Sequence, residues 1–109
     1  MAAAQQVVFY EDEQGRQPFT EWFLGLTDAL ARKRILARTA RLRAGNFGDC
    51  RPVGGGVHEL RVDHGPGYRV YYARARHTLV LLLCGGDKRT QDGDIQKAKT
   101  YWRRYKEHT

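Results

Sequence analysis

The amino-acid sequence predicts an α+β domain: a small, antiparallel-rich β-sheet with two N-terminal helices packed on it and a C-terminal helix, in the order β-α-α-β-β-β-α. Three observations carry this prediction. A short β-branched run is followed by two helical patterns, three strand-like runs between residues 57 and 85 are joined by short turns, and an amphipathic segment closes the chain. At 109 residues the chain is expected to form a single domain over residues 1–109.

The first strand and the first helix are indicated by local patterns near the N-terminus. The run "QVVFYED" is rich in β-branched and aromatic residues, and "EQGRQP" after it signals a turn. Pro18 suits the first position of a helix over "PFTEWFLGL". Phe19, Trp22 and Phe23 lie on one side of that helix, so we expect them to contribute to the core.

The second helix is predicted over "ALARKRILARTARLRA", with Thr27 or Asp28 as its N-cap and Gly45 as its stop. Its many basic residues would normally form a solvated face, although a docking surface for phosphate or for an acidic partner is the alternative. These residues are Arg32, Lys33, Arg34, Arg38, Arg41 and Arg43. The glycine-rich "GNFGDCRPVGGG" that follows is predicted to be a loop leading back to the sheet.

The remaining elements are a three-stranded meander and the C-terminal helix. Short connections join "VHELRVD", "GYRVYYARA" and "TLVLLLCG", which predicts antiparallel pairing. The last run is apolar on both faces, so it is expected to be a covered, central strand. In "TQDGDIQKAKTYWRRYKEHT" apolar residues recur at helical spacing, which predicts an amphipathic helix.

Composition narrows the classes of function. The chain has 19 Lys and Arg against 12 Asp and Glu, a formal charge of +7, and this favours a polyanionic partner, either nucleic acid or an acidic protein. No run of apolar residues is long enough to span a membrane and no export signal is evident, so a soluble, cytoplasmic protein without a membrane partner is expected. Cys50 and Cys84 suggest no disulfide framework, and no His or Cys pair has zinc-ligand spacing, so neither a metal nor another cofactor is expected.

Side-chain alternation predicts a polar cluster on the meander. Glu59 and Arg61 share one face of "HELRVD", and Arg69 and Tyr71 share one face of "YRVYY". If the hairpin pairs in register around "DHGPG", these four residues meet on the exposed face of the sheet. The segment "GGDK" then ends the central strand, so that Asp87, Lys88 and Arg89 are expected to border the same concavity.

A cationic face with one carboxylate and one phenol suits a phosphodiester. RNA cleavage by its own 2′-hydroxyl needs a base for that hydroxyl, cations for the charge that develops on phosphorus, and an acid for the leaving 5′-oxygen. Arginine suits the middle role because its guanidinium is a planar fork of donors. The alternative is a solvated sheet face on which Arg61 and Arg69 only pair with Glu59.

Two long segments carry a family resemblance. "GNFGDCRPVGGGVHELRVDHGPGYRVYY" followed by "LLLCGGDKRTQDGDIQKAKTYW" closely resembles the RelE/HigB-like addiction-module killer proteins, which include the phage-derived Gp49-like/HigB family and are toxins of type II toxin–antitoxin pairs. The likeness extends from "FTEWF" to "YWRRY". It implies a RelE-like fold and, as in many members, a metal-independent mRNA endonuclease (mRNA interferase) that acts in the ribosomal A site and inhibits translation. It also implies a cognate antitoxin, expected to be a small helix-turn-helix protein.

The resemblance also implies roles for individual residues. Arg69 in "GYR" matches the phosphate-stabilising catalytic arginine, Arg61 in "ELR" matches a basic position on the preceding strand, and Lys88 or Arg89 matches a basic position after the last strand. Two departures leave the acid–base assignment open. Glu59 stands where well-studied members have a lysine, and Asp94 stands near the position of their C-terminal tyrosine.

The resulting candidate site has two groups of residues. The expected catalytic residues are Arg69, Arg61, Lys88 and Glu59, and the expected contacts to RNA or ribosome are Tyr71, Arg89, Arg74, Gln91 and Asp94. Glu59 is either the general base or the residue that holds Arg61 in place while Tyr71, Gln91 or Asp94 serves as the base. A third alternative, which the resemblance implies, is a cleavage mechanism that depends mainly on positioning and charge. His58 and His64 are expected to be structural or incidental. The alternative function is a non-catalytic module of the same fold that binds RNA, ribosome or a protein through its basic face.

Overall fold

The computed structural model describes residues 3–108, which form a five-stranded sheet with helices on both of its faces. The elements are β1 (Gln6–Phe9), α1 (Pro18–Leu24), α2 (Ala29–Arg43), β2 (Cys50–Gly54), β3 (Val57–Val62), β4 (Tyr68–Arg76), β5 (Leu79–Gly86), a 3₁₀ turn (Lys88–Thr90) and α3 (Gln91–Glu107). The predicted α+β class, with two N-terminal helices and a C-terminal one, is confirmed. The last residue of the predicted C-terminal segment, Thr109, lies outside the described residues.

The strand order in the sheet is β1-β5-β4-β3-β2. β3, β4 and β5 pair antiparallel, as their short connections predict, whereas β1 pairs parallel with β5. β5 therefore lies between two strands, and the prediction of a central strand is confirmed. Its apolar residues serve both faces, because Leu82 packs towards α1 and α2 while Leu81 and Leu83 pack towards α3.

The glycine-rich segment before β3 departs from the prediction. Five of its residues form β2, an edge strand in which Arg51 pairs with Glu59, so the observed order is β-α-α-β-β-β-β-α. The prediction of a plain loop was wrong because Pro52 and the neighbouring glycines lower strand propensity. An edge strand tolerates proline, since one side of its backbone has no partner strand. A bulge between Pro52 and Gly54 absorbs the irregularity.

The helix α2 begins and ends where its caps predict. The Asp28 side chain accepts hydrogen bonds from the backbone N–H groups of Leu30 and Ala31, and Gly45 follows the last turn with a positive φ of 81°. Together with α1, this helix covers one face of the sheet. Phe19 is buried there, and Trp22 and Phe23 pack partly buried beside it, as the sequence predicts.

The opposite face of the sheet is covered by α3. Ala98 is fully buried against this face, and Ile95 and Trp102 pack beside it. The expectation that the Glu59 and Tyr71 face is exposed is therefore wrong: both side chains are 0% accessible to solvent. Among residues 3–108, no helix is both long and apolar enough to cross a membrane.

Candidate functional site

A buried carboxylate, Glu59 on β3, lies at the centre of the predicted cluster. One carboxylate oxygen, Oε1, accepts hydrogen bonds from the Nε atoms of Arg51 and Arg61, each at 3.1 Å. The other, Oε2, accepts from the Tyr71 hydroxyl at 3.2 Å and from the Gln91 side-chain amide at 2.8 Å. Four donors from β2, β3, β4 and α3 thus converge on a single side chain.

Three arginines surround this carboxylate at different depths. Arg69 Nε lies 3.9 Å from Glu59 Oε2, and the Arg69 side chain is only 9% exposed, whereas those of Arg61 and Arg51 are 41% and 53% exposed. Arg69 also donates a hydrogen bond to the Gly67 carbonyl. Arg51 and Arg61 therefore pair with Glu59 while about half of each side chain remains accessible to solvent.

The register of the strands explains how the cluster forms. Glu59 lies opposite Tyr71, and Arg61 lies opposite Arg69, on β3 and β4. Arg51 lies opposite Glu59 on the other side, on β2. The predicted hairpin register is confirmed. Arg51 was missed because its segment was expected to be a loop, and the only signal for it was the alternation within "CRPV".

The environment fixes the protonation states of the central pair. Burial alone would raise the pKa of Glu59, but hydrogen bonds from Gln91, Arg61 and Arg51 outweigh it, and the pKa lies below its usual value. Burial and the adjacent Glu59 carboxylate raise the pKa of Tyr71. At neutral pH the glutamate is therefore ionised and the tyrosine protonated, which matches the direction of the hydrogen bond between them.

A cleft of about 250 Å³ opens beside the two arginines of β3 and β4. It is lined by Asp49, Arg61, Val62, Asp63, Gly67, Tyr68 and Arg69. Its cationic groups suit a phosphate oxygen, and Asp49 and Asp63 add exposed carboxylates at the same opening. Sequence reasoning did not single out these two aspartates, since neither lies within the strand pattern that defined the cluster.

The segment after β5 borders the cluster from the side of α3. The Lys88 backbone N–H donates to the Pro66 carbonyl at 3.4 Å, so the basic turn lies beside the β3–β4 hairpin. Arg89 pairs instead with Asp87, at 3.1 Å between Nη2 and Oδ2. A second cleft, of about 420 Å³, runs along this turn and the first turns of α3, from Lys88 to Lys97.

Asp94 lies on the first turns of α3 and is 9% exposed. Its Oδ2 accepts a hydrogen bond from the Thr90 hydroxyl, and burial raises the pKa of this carboxyl group. The carboxylate rests against the backbone of Gly86, where a Cβ would lie 1.8 Å from Oδ2. Asp94 therefore belongs to the end of β5 rather than to the group of donors around Glu59.

The structure brings together only part of the predicted residue set. Glu59, Arg61, Arg69, Tyr71 and Gln91 are in contact, and Lys88 lies beside them. Arg74 does not join them, because it lies near the other end of β4 with its guanidinium 4.9 Å from the centre of the Phe47 ring.

The two histidines lie outside the cluster. His58 stacks on Tyr72 with ring centres 5.3 Å apart, on the face of the sheet that α1 and α2 cover. His64 Nε2 lies 2.9 Å from Asp28 Oδ2 at the start of α2. Their placement agrees with the expectation that both are structural.

Comparison with known proteins gives the family. An uncharacterised protein of Haemophilus influenzae is 52% identical to this chain over 81 residues, which are 74% of this chain and 82% of that protein. Residues 21–106 match the family described as Phage derived protein Gp49-like (DUF891), and these residues include β2 to β5 and therefore the whole Glu59 cluster. The chain belongs to this Gp49-like family of phage-derived proteins.

Proposed function

We propose that this protein is the toxin of a type II toxin–antitoxin system and that it cleaves mRNA on the ribosome without a metal ion, which inhibits translation until a cognate antitoxin neutralises it. The observation that carries this proposal is the pair of guanidinium groups, Arg61 and Arg69, held beside an open cleft by the buried Glu59. Membership of the Gp49-like family and the resemblance to RelE/HigB-like toxins agree with it. A cytoplasmic location follows from such a substrate.

The chemistry needs the cations more than any other group. The 2′-hydroxyl gives up its proton and its oxygen bonds to the adjacent phosphorus while the bond to the 5′-oxygen breaks. The leaving 5′-oxygen takes up a proton from water, so the products are a cyclic phosphate and a 5′-hydroxyl. Negative charge develops on the non-bridging oxygens, and a preorganised guanidinium beside them stabilises this charge. Arg69 is the more buried of the two, so its charge is screened least. Lys88 adds a further positive charge beside the same hairpin.

Glu59 acts as a positioning residue in this proposal, not as the general base. A carboxylate has about four acceptor positions, and Glu59 already accepts from Arg51, Arg61, Tyr71 and Gln91. It therefore has no lone pair free for a 2′-hydroxyl. Asp49 and Asp63 line the cleft itself, which supports the assignment of one of these carboxylates as the acceptor of that proton.

The proposal is tested by mapping new 5′ ends on cellular mRNA after induction without antitoxin. We expect the wild type to cut within translated frames, and Arg69→Ala to lower cleavage by about 10²- to 10³-fold while the protein stays folded. Arg69→Lys keeps the charge but loses the planar fork of donors, so it should restore only part of the activity. Arg103→Ala, at an exposed position of α3, is the matched control and should cut like the wild type.

Two outcomes would contradict the proposal. Folded Arg69→Ala protein that still arrests growth and still cuts mRNA would remove the arginine from its assigned role. A folded wild type that produces no new ends would favour the non-catalytic module that binds RNA, ribosome or a protein through its basic face. Adding or omitting ribosomes with purified protein and mRNA then separates a ribosome-dependent enzyme from a free ribonuclease.

The antitoxin partner is tested through α2. Its outward face carries Arg34 and Arg41, which line a shallow cleft with Val62 and Asp63. Arg38 is unsuitable for this test because its Nη1 donates to the Arg61 carbonyl at 2.6 Å and so ties α2 to β3. Charge reversal at Arg34 and Arg41 should weaken binding of a helix-turn-helix protein encoded beside this gene. Unchanged affinity would place the antitoxin on another surface.

A further inference from the structure

A cavity of about 380 Å³ lies between α1 and α3, at the end of β5. The strand β1 ends opposite Leu82, so residues 84–86 have no strand beside them on that side. On their other side they pair with β4, where Gly86 lies opposite Arg69. The floor of the cavity is therefore the backbone next to the more buried arginine of the proposed phosphate site.

The walls of this cavity combine aromatic and charged side chains. Trp22 comes from α1, and Asp94, Lys97 and Tyr101 come from α3. The Trp22 ring lies directly on Gly85, where a Cβ would be 2.2 Å from its Cε3 atom. A cavity of this volume, with aromatic walls and a few polar groups, has the features of a small-molecule subsite.

We infer that this cavity is a nucleobase subsite and that guanine is the base it takes. The inference rests on the proposed function, because it gives the cleaved RNA a second point of contact beside the phosphate at Arg61 and Arg69. Unpaired RNA bases are recognised by stacking on aromatic rings and by hydrogen bonds to their edges. Trp22 and Tyr101 supply the aromatic walls.

The two charged walls match the edge of guanine. Asp94 Oδ2 is occupied by the Thr90 hydroxyl, so the other carboxylate oxygen, Oδ1, accepts from the guanine N1–H and N2 amino groups, and the Lys97 ammonium donates to O6. The cavity also shares Thr90, Asp94 and Lys97 with the cleft along Lys88 to Lys97, which gives the RNA a continuous path between base and basic turn.

Binding is measured without any cleavage, by titrating the purified protein with each of the four ribonucleoside 5′-monophosphates. The readouts are the NMR signals of the Gly85 and Gly86 amides and of the Trp22 indole N–H. We expect GMP to shift these signals and to bind about tenfold more tightly than AMP, CMP or UMP. Equal affinity for all four nucleotides would overturn the choice of guanine, and no shift at these three positions would overturn the subsite.

Variants of the walls sharpen this test. Lys97→Gln and Asp94→Asn should each weaken GMP binding about tenfold. Lys99→Gln is the matched control on the same helix, since its ammonium lies beside Gly54 and not at the cavity. Trp22→Leu should abolish the binding and Trp22→Phe should restore it in part, with thermal unfolding of both variants confirming that they fold. GMP affinity that does not change in any wall variant would overturn the inference.

Cleavage maps separate this inference from the proposed function. If the wild type cuts beside guanine and Lys97→Gln cuts with relaxed base preference, both are supported. If the wild type cuts and neither Lys97→Gln nor Asp94→Asn changes the base preference, the inference fails while the nuclease stands. If the wild type does not cut at all, the nuclease fails, and the nucleotide titration still decides whether the cavity takes a base.

Discussion

Arg69 Nε lies 3.9 Å from Glu59 Oε2, and neither side chain has more than a tenth of its surface exposed. Arg69 Nε itself has no hydrogen-bond partner among residues 3–108. Such a buried ion pair contributes little net stability, because desolvation offsets its Coulomb attraction, but removal of one partner leaves an uncompensated charge. The pair is therefore better explained as a device that orients Arg69 than as a source of stability.

Replacing Glu59 with glutamine should lower the free energy of unfolding by about 3 kcal/mol. Arg51, Arg61 and Arg69 would lose their shared counter-charge, and the new amide N–H groups would face the donors of this cluster. Urea unfolding monitored by circular dichroism measures the loss. Glu21→Gln is the control, because Glu21 pairs with Arg16 on the surface and should leave stability nearly unchanged. If Glu59→Gln left the free energy of unfolding unchanged, Glu59 would not be the residue that organises the arginines.

The lowered pKa of Glu59 predicts how the stability of the folded protein depends on pH. The folded-state pKa of Glu59 lies below its ordinary value of about 4.3, so its contribution is fully present above that value and is lost as the pH falls through the folded pKa. The difference in stability between wild type and Glu59→Gln should therefore hold from pH 7 to about pH 5 and shrink below about pH 4. Thermal unfolding of both proteins across this range measures it. A stability difference between wild type and Glu59→Gln that stays constant down to pH 2.5 would contradict the lowered pKa of Glu59.

The pH dependence of stability that Asp94 contributes should be opposite in sign to that of Glu59. Burial raises its folded-state pKa, so the folded protein bears the cost of a buried charge at neutral pH and is relieved of it as the pH falls through that raised pKa. Asp94→Asn should unfold at a higher temperature than the wild type at pH 7, and the gap should close towards pH 4. The Asn side-chain oxygen can still accept from Thr90, which keeps the local geometry. A variant less stable than the wild type at pH 7 would mean that the charge is compensated.

Substitution of Gly85, near the end of β5, by alanine should affect stability very differently from substitution of Gly93 in α3. Gly85→Ala would place a Cβ 2.2 Å from the Trp22 ring, so it should lower the free energy of unfolding by about 2 kcal/mol. Gly93→Ala meets no atom within 4 Å in the first turn of α3, and it should raise that free energy by about 0.5 kcal/mol. Urea unfolding measures both. If Gly85→Ala left the free energy of unfolding unchanged, Trp22 would not rest on this backbone.

Much of the polar cluster could be predicted from local pattern alone. The short "DHGPG" connection fixes the β3–β4 register, and the two-residue alternation then places Glu59, Arg61, Arg69 and Tyr71 on one face. Arg51 could not be found in this way. Its strand contains proline and glycine, and only pairing along the whole of β3 compensates for their low strand propensity.

The sequence by itself determined the α+β class, the helix boundaries, the antiparallel meander and the set of residues that share the face of Glu59. These features depend on caps, turns and periodicity, which act over a few residues. Only the tertiary structure decided that α3 covers this face, that Glu59 becomes a buried acceptor for four donors, and that Trp22 and Asp94 line one cavity at the end of β5. An amphipathic pattern predicts that a helix buries one side. It does not predict which surface that side packs against, because this depends on packing between segments far apart in the chain.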